Sequence, residues 1–287
     1  MGRQRQRGGG RLARRLRSAD AGREAARTGP RDLRSLYLDT LKLALLDLGG
    51  TATGRVLADA ESHEIIEIVD VPVDNPERQT GADWPARGLT MIGRQRLDQL
   101  QEAVETVVRE GVEGDLIEAG VWRGGASMLM KAVLEAYGDE TRRVVVADSF
   151  TGVPKPKVAR DAVDDLYRFS YYLGVPRSEV QMNFARYGLL DKRVEFVKGL
   201  FEKTMPRLRG RRWSVIRLDG DLYESLMPPL ECLYDGLSPG GFLIVDDAKI
   251  PQAMQAVVEF RERMGITEPM EPVDEASVYW RKATTNS

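Results

Sequence analysis

Two apolar runs in the last third of the sequence each end in paired acidic residues. The run WSVIRL is followed by Asp219 and Asp221, and the run FLIV is followed by Asp246 and Asp247. The ends of successive strands can lie side by side in a sheet, and carboxylates packed together repel one another, so a positive partner is expected. Oxygen ligands without cysteine or histidine suit a hard cation, and we expect Asp219, Asp246 and Asp247 to bind Mg²⁺.

Capping of a helix or a turn is the alternative role for these aspartates, because Asp is favoured at such positions. For Asp221 the sequence supports capping, or a role behind the metal ligands, as well as it supports metal binding.

The sequence contains one histidine, His63, which lies outside every strand-end motif and is expected at the surface. No strand end can therefore supply a histidine base, and no zinc site of histidine and cysteine can form. If a hydroxyl is deprotonated here, a carboxylate must accept the proton, and Asp219 is the best candidate. The single cysteine, Cys232, lies in an apolar helical pattern and is expected to be a buried hydrophobic residue.

A glycine-rich turn, EAGVWRGGAS, follows the first strand of this half of the chain. Glycine lets the backbone approach a ligand closely and leaves the start of the next helix open to an anionic group. The spacing is GxxxGG and not the GxGxxG of dinucleotide-binding proteins, which makes NAD or FAD less expected.

The next strand, VVVAD, ends in Asp148, where a carboxylate can accept hydrogen bonds from a ribose diol. A ligand with a ribose and a carboxylate but no phosphate matches both features. The two motifs together therefore suggest S-adenosylmethionine, whose carboxylate could use the helix start near Ser127.

Strands and helices alternate from residue 111 onward, which is typical of a parallel sheet with helices on both faces. We therefore predict an α/β, doubly wound fold. Before it, the pattern predicts a helix that ends at Gly49, a polar, extended stretch over residues 51–83, and a long amphipathic helix from Thr90 to Gly111. The prolines of ESLMPPLECLYDGL are expected in the first turn of their helix, where proline is tolerated.

Charge is unevenly distributed along the 287 residues, since residues 1–35 hold 11 Arg against three acidic residues while the remainder is acidic. We predict a disordered basic tail over residues 1–35, a helical and lid segment over 36–110, and a ligand-binding domain over 111–287. The acidic body argues against nucleic acid as a partner, and no apolar run is long enough to span a membrane. No secretory signal pattern is found, so we expect a cytoplasmic protein. Its long N-terminal helices could form a homo-oligomer interface.

Several stretches resemble the metal-dependent sugar O-methyltransferases of the macrocin O-methyltransferase type, which act on antibiotics such as macrolides and aminocoumarins. The resemblance covers roughly residues 36–282 and implies a Rossmann-like class I methyltransferase sheet with an N-terminal helical extension. The similar stretches include LYLDTLK, TMIG, GDLIEAGVWRGG, RRVVVADSFTGVP, LDGDLYES, LSPGGFLIVDD and VYWRK.

By this resemblance, Thr90 and Met91 would close over S-adenosylmethionine, and Asp148 and Ser149 would hold its ribose. The metal ligands would be the three aspartates named above, and Asp219 would also contact the donor and act as the base. The segment 151–175 would be a mobile lid over the acceptor, with a plain surface insertion as the alternative. The residues implied on the methionine side of the donor are Glu118, Ala119, Gly120, Val121, Trp122 and Ser127.

Two positions depart from the family pattern, because Leu89 stands where a histidine is common and Ala248 where a tyrosine is usual. They flank the acceptor more than the donor and leave the substrate open. The sequence thus predicts an S-adenosylmethionine- and Mg²⁺-dependent O-methyltransferase acting on a sugar hydroxyl of a small, glycosylated natural product. The alternatives are a catechol or phenolic O-methyltransferase and a noncatalytic S-adenosylmethionine-binding protein. A nicotinamide oxidoreductase is disfavoured by the missing GxGxxG.

Overall fold

The computed structural model describes residues 32–59, 61–163 and 165–284. Most of the basic tail predicted over residues 1–35 lies outside the described residues. Residues 33–35 are helical, because helix α1 spans Leu33–Leu45. The Asp32 carboxylate accepts a hydrogen bond from Ser35 N (2.7 Å) and so caps this helix.

Residues 52–85 form a small antiparallel sheet, whereas the polar sequence predicted an extended stretch. Strand β1 (Ala52–Ala58) pairs with β2 (Ile65–Pro72) on one side and with β3 (Trp84–Pro85) on the other. A short helix, α2 (Pro76–Thr80), connects β2 to β3. The sequence of β2, IIEIVDVP, does not alternate apolar and polar residues as a half-buried strand does, and most of its residues are exposed, Ile66 and Ile68 among them.

The second half of the chain forms the predicted α/β sheet, with the strand order β6-β5-β4-β7-β8-β10-β9. The first five strands in this order are parallel, and β10 pairs antiparallel with β8 and with β9. The chain changes direction across the sheet between β4 and β7, and ligands bind beyond the carboxyl ends of strands at such a point. The bounds are β4 (Asp115–Ala119), β5 (Val144–Asp148), β6 (Val194–Lys198), β7 (Trp213–Leu218), β8 (Leu237–Val245), β9 (Glu271–Pro272) and β10 (Val278–Arg281).

Helices cover both faces of this sheet and enclose two apolar cores. Helices α1, α3, α4 and α6 contribute to one core, and α8 and α9 contribute to the other. Within the part of the chain that the structure describes, no helix is both long and apolar enough to cross a membrane. The bounds are α3 (Arg94–Arg109), α4 (Gly125–Ala136), α5 (Ser170–Leu173), α6 (Arg177–Arg186), α7 (Phe201–Thr204), α8 (Tyr223–Leu233) and α9 (Pro251–Met264).

Helix α8 carries Pro228 and Pro229 in its second turn, and the prediction that they lie in the first turn is wrong. Neither proline can donate the backbone hydrogen bond that a helix interior normally contains. The helix continues because Leu226, Leu230 and Leu233 are fully buried in the second core. Their burial outweighs the two missing hydrogen bonds.

Candidate active site

The carboxyl ends of β4, β5, β6 and β7 surround a cleft. In parallel α/β sheets, small ligands bind at this edge of the sheet. It brings together seven of the residues that the sequence singled out, and Asp221 also lines it. The seven are Met91, Gly120, Val121, Trp122, Asp148, Ser149 and Asp219.

The ends of β4 and β7 touch at Gly120, whose φ is +93°. A Cβ atom on this residue would lie 1.6 Å from the carbonyl oxygen of Asp219. Asp219 N also donates a hydrogen bond to the Ala119 carbonyl (2.8 Å), so the two backbones are paired up to this point. Only glycine satisfies both the dihedral angle and the close approach. The glycine turn and the acidic turn are therefore in direct contact.

The Asp148 carboxylate holds the glycine turn in place. Its Oδ2 accepts a hydrogen bond from Val121 N (2.8 Å), and its Oδ1 accepts one from Phe150 N (2.6 Å). Burial raises the pKa of Asp148, and hydrogen bonds from these backbone N–H groups partly offset the rise. The Ser149 hydroxyl also donates to Oδ1 (3.4 Å), and Asp148 lines the cleft, where a ligand hydroxyl can reach its carboxylate.

Four of the residues expected around the donor lie behind the cleft wall, not on it: Thr90, Glu118, Ala119 and Ser127 are buried and do not line the cleft. The Ser127 hydroxyl donates to one oxygen of Glu118, and the other oxygen lies 2.5 Å from Arg217 Nη1. Burial raises the pKa of Glu118 to about 7 despite the charge of Arg217. Ser127 thus supports Glu118 and offers nothing to a ligand carboxylate directly.

The start of helix α4 is also covered, in contrast to the expectation from the glycine spacing. Gly125 N donates a hydrogen bond to the Leu89 carbonyl (2.9 Å), and a Cβ atom at Gly125 would lie 2.5 Å from that oxygen. The backbone before Met91 therefore packs directly on the helix start. Arg78 Nη2 donates to the Met91 carbonyl (3.2 Å) from the other side and helps to hold Met91 in the cleft wall.

The structure brings Asp219, Asp246 and Asp247 together at the ends of β7 and β8. Each offers one carboxylate oxygen, and these oxygens all lie within 4.8 Å of one another. Asp247 Oδ2 also accepts hydrogen bonds from Gly220 N and Asp221 N (both 2.9 Å), so it holds the turn that carries Asp219.

Neither Asp219 nor Asp246 takes the alternative role of a helix cap. Helices α8 and α9 have Leu222 and Ile250 at their N-cap positions, and neither of these side chains caps its helix. Asp221 adopts a positive φ of +58° in the turn before α8. The acidic cluster thus faces the cleft and the interior and does not terminate the helices that follow it.

Two arginines that the sequence analysis missed lie against the cluster. Arg217, inside β7, places Nη1 2.9 Å from Asp219 Oδ2 and Nη2 2.7 Å from Asp246 Oδ1. Arg96, on α3, places Nη1 2.9 Å from Asp246 Oδ2. Arg217 could have been recognised from the sequence, because it is a charged residue within an otherwise largely apolar strand. Arg96 gave no signal, because a charged residue is ordinary on an amphipathic helix.

The chemistry of the cluster fits a hard cation even though these arginines are present. Burial, with the charge of Asp246, raises the pKa of Asp219 to about 6 despite Arg217. Burial, with the charge of Asp221, raises the pKa of Asp247 well above its usual range. Asp246 Oδ1 lies near Arg217 but outside hydrogen-bond geometry, which leaves this buried oxygen without a donor. Three neighbouring carboxylates whose oxygens can still accept a bond are ligands suited to Mg²⁺.

The segment predicted to be a lid lies between β5 and α6 at the mouth of the cleft. Its second half packs on the small N-terminal sheet: Tyr172 stacks on Trp84 with ring centroids 5.1 Å apart and planes 6° apart. His63, expected at the surface, is largely covered there by contacts with the Asp165 carboxylate and the Phe169 ring. The residues of the segment that line the cleft are Gly152, Val153, Pro154, Lys157 and Leu173.

The seven-stranded, mostly parallel sheet, with a glycine turn after β4 and an acidic residue at the end of β5, defines a class I methyltransferase. The chain belongs to the macrocin-O-methyltransferase (TylF) family, whose model matches residues 35–282. The resemblance drawn from the sequence motifs is thus confirmed.

Individual relatives agree with this assignment. The chain is 46% identical over 259 residues to the 8-demethyl-8-(2,3-dimethoxy-alpha-L-rhamnosyl)-tetracenomycin-C 4'-O-methyltransferase of Streptomyces olivaceus, covering 89% of this chain and 96% of that protein. It is 42% identical to the mycinamicin III 3''-O-methyltransferase of Micromonospora griseorubida, covering 86% and 96%. The solved structure of the O-methyltransferase NovP matches with a TM-score of 0.79 at 38% identity, covering 88% of this chain and 100% of that one. The chain is therefore an O-methyltransferase.

The two positions that depart from the family pattern contribute no side chain to the cleft wall. Leu89 contacts α4 through its carbonyl oxygen, as described above. Ala248 N donates a hydrogen bond to the Ala276 carbonyl (2.8 Å), beyond the end of β8.

Proposed function

We propose that this chain transfers a methyl group from S-adenosylmethionine to a sugar hydroxyl of a small, glycosylated natural product, with Mg²⁺ bound by Asp219, Asp246 and Asp247. The observation that carries this proposal is that the carboxylate cluster reaches, through Asp219, the same cleft that Asp148 and the glycine turn line. Methyl donor and acceptor hydroxyl can therefore meet at one wall.

The donor half of the proposal rests on Asp148 and its neighbours. The Asp148 carboxylate is fixed by Val121 N and Phe150 N and lines the cleft at the end of β5, where a carboxylate suits ribose hydroxyls. Met91 and Trp122 line the cleft as large side chains beside it. Glu118 is buried behind the cleft wall, where it accepts a hydrogen bond from Ser127 in the first turn of α4.

The metal half rests on the three carboxylates. Mg²⁺ held by these three carboxylates would supply the positive charge that makes an acceptor hydroxyl easier to deprotonate. Of the three aspartates, Asp219 alone lines the cleft, so it is the group that accepts the hydroxyl proton. Burial and the charge of Asp246 hold its pKa above the usual value of an aspartate, and its place in the cleft wall puts it within reach of an acceptor hydroxyl.

The remaining contribution of the chain is positioning. Arg217 holds Asp219 Oδ2 at 2.9 Å, and contact with Gly120 fixes the backbone of Asp219 against the donor turn. Holding a nucleophile in line with an electrophile replaces a bimolecular encounter by an internal step, which contributes a large part of the acceleration in such reactions.

A glycosylated acceptor is supported by the relatives and by the cleft mouth. The two relatives described above are named for methylation of a rhamnosyl tetracenomycin and of mycinamicin III, and each covers more than four-fifths of this chain. The mouth of the cleft is lined by charged groups, Lys157, Glu202 and Glu224, which suit a polyhydroxylated acceptor.

The cofactors are tested by isothermal titration with S-adenosylmethionine and separately with Mg²⁺. The proteins are the wild type, Asp246→Asn, and the control Asp70→Asn, which changes an exposed carboxylate. Donor binding by all three proteins, with Mg²⁺ binding lost only in Asp246→Asn, supports the proposal. A wild type that fails to bind the donor contradicts the donor site, and undiminished Mg²⁺ binding by Asp246→Asn contradicts the metal site.

The acceptor is tested with three compounds: a rhamnosylated polyketide with free sugar hydroxyls, its aglycone, and a simple catechol. We expect methyl transfer to the glycoside and not to the aglycone. Faster methylation of the catechol would instead identify a phenolic O-methyltransferase.

A further inference from the structure

Helix α8 begins without a cap from its own sequence. Its N-cap residue, Leu222, has no polar side chain, and the first helical amides would lack acceptors. The start of this helix matters for the site, because Glu224 and Ser225 line the cleft and the preceding turn carries Asp219.

The missing cap is supplied by Asp161, more than 60 residues earlier in the sequence. Asp161 Oδ1 accepts a hydrogen bond from Tyr223 N (2.9 Å), and Oδ2 accepts one from Glu224 N (3.0 Å). Asp161 is fully buried, so both bonds are shielded from water. Aspartate is among the best residues for this role, although it usually comes from the residue next to the helix.

Asp161 belongs to the segment predicted to be a lid, residues 151–175, part of which lines the cleft. We call it the covering segment. Two neighbours reinforce its contact with the helix start: Lys157 N donates to Glu224 Oε1 (2.9 Å), and the Arg160 guanidinium lies 4.0 Å from the centre of the Tyr223 ring. The covering segment therefore contacts the first turn of α8, which directly follows the turn that carries Asp219.

The metal-ligand turn, residues 219–222, is thus held from two sides. Asp247 binds Gly220 N and Asp221 N at its beginning, and Asp161 binds the two amides that follow its end. The first of these contacts comes from Asp247, at the end of β8 in the sheet domain. The second comes from the covering segment, which lies outside the sheet.

We propose that Asp161 is a positioning residue that couples closure of the covering segment to the geometry of the metal-ligand turn. With the segment closed, Asp161 caps α8 and Asp219 is held in place for Mg²⁺. With the segment open, two amides lose their acceptors and the turn loosens. Because such coupling is reciprocal, Mg²⁺ bound at the turn favours the closed segment. This inference rests on the metal site of the proposed function.

The experiment uses the full chain and compares the wild type with Asp161→Ala and Asp161→Asn. The matched control is Asp32→Ala, which removes an aspartate cap of the same kind from α1, far from the cleft. Mg²⁺ affinity is measured by titration, and hydrogen exchange is followed in peptides covering residues 151–163 and 219–226, with and without Mg²⁺.

We expect Asp161→Ala to weaken Mg²⁺ binding by about fivefold to thirtyfold, as for loss of a helix cap, while Asp32→Ala leaves it unchanged. Asp161→Asn keeps one acceptor oxygen and should restore most of the affinity. Mg²⁺ should slow exchange in peptide 151–163 of the wild type and of Asp32→Ala, but not of Asp161→Ala.

Equal Mg²⁺ affinity in the wild type and both Asp161 variants would overturn the coupling and leave the metal site standing. The same holds if Mg²⁺ slows exchange in peptide 151–163 equally in all proteins. A wild type that binds no Mg²⁺ would overturn the metal site and the coupling together, so the two failures are distinguishable. If Asp161→Ala does not fold, the same comparisons are made with Asp161→Asn, for which a smaller loss of affinity is expected.

Discussion

Arg217 and Asp246 form a buried ion pair, with Nη2 and Oδ1 2.7 Å apart, beneath the cleft. The same guanidinium contacts Glu118 and Asp219, so one cation faces three acidic groups. Burial lowers the pKa of Arg217, but the charges of these three groups outweigh that effect and raise it well above its usual range. The carboxylates therefore depend on this one residue for much of their charge balance.

Replacement of Arg217 by Met should be strongly destabilising. Removing one partner of a buried ion pair leaves the others uncompensated, which costs about 3–5 kcal/mol of the free energy of unfolding. Urea denaturation at neutral pH measures this cost. The control is Arg212→Met, at an exposed arginine 4.0 Å from Glu113, for which a change within about 0.5 kcal/mol is expected. Equal stability of the two variants would contradict the role given to Arg217.

Asp219→Asn and Asp246→Asn should each lower turnover by more than about 100-fold, because each removes a proposed ligand of Mg²⁺ and Asp219→Asn also removes the proposed base. Binding of S-adenosylmethionine should be largely retained in both, since Asp148 and the glycine turn are intact. Methyl-transfer rates and donor titration separate the two effects, with Asp70→Asn as the control. Full activity of the wild type in EDTA would remove the metal from this mechanism.

Gly120→Ala should disrupt the contact between the donor turn and the metal-ligand turn. Its Cβ atom would lie 1.6 Å from the Asp219 carbonyl oxygen. The control is Gly111→Ala, because Gly111 also has a positive φ (+67°) but has open space around it. The variant at Gly120 should be less stable than the control by at least about 2 kcal/mol, as for an overpacked interior, and should bind the donor weakly. Calorimetric unfolding and donor titration give both values, and indistinguishable variants would show that the two turns can separate freely.

The buried carboxyl of Glu118 should make stability depend on pH. Burial raises its pKa from 4.5 to about 7, so the folded protein holds a proton that the unfolded chain releases over this range. The unfolded state then binds fewer protons, and the free energy of unfolding falls as pH rises from about 4.5 to 7, by up to about 3 kcal/mol. Urea denaturation across this range should show a shallower fall for Glu118→Gln than for the wild type. The exposed control Glu113→Gln should follow the wild type, and parallel curves for all three proteins would exclude this carboxyl as the cause.

The α/β sheet and the residues at the ends of its strands could be predicted directly from the sequence. The strands β4, β5, β7 and β8 are largely buried and consist mainly of apolar residues, and several of the acidic residues of the site come at their ends or directly after them. Asp148 and Asp219 were found for this reason. The periodicity of the helices was equally visible, although α3 begins at Arg94 and not at Thr90.

The missed features depend on contacts between segments far apart in the chain. Arg96 reaches Asp246 from a helix 150 residues earlier, and Asp161 caps a helix whose own sequence lacks a cap. Neither relationship leaves a local pattern. The covered position of Ser127 was missed because the Leu89 backbone, which packs on the start of α4, comes from outside the sheet domain.

The covering segment enters the fold between β5 and β6, two strands that pair with each other directly and in register. Insertions or deletions within it can therefore leave the pairing of these strands intact. Because residues of this segment line the cleft, exchanging it would change part of the cleft wall, while Gly120 and Asp148 lie outside it and would stay the same. Exchanging the stretch between relatives is thus a route to new acceptor range, provided that a carboxylate still reaches the first turn of α8.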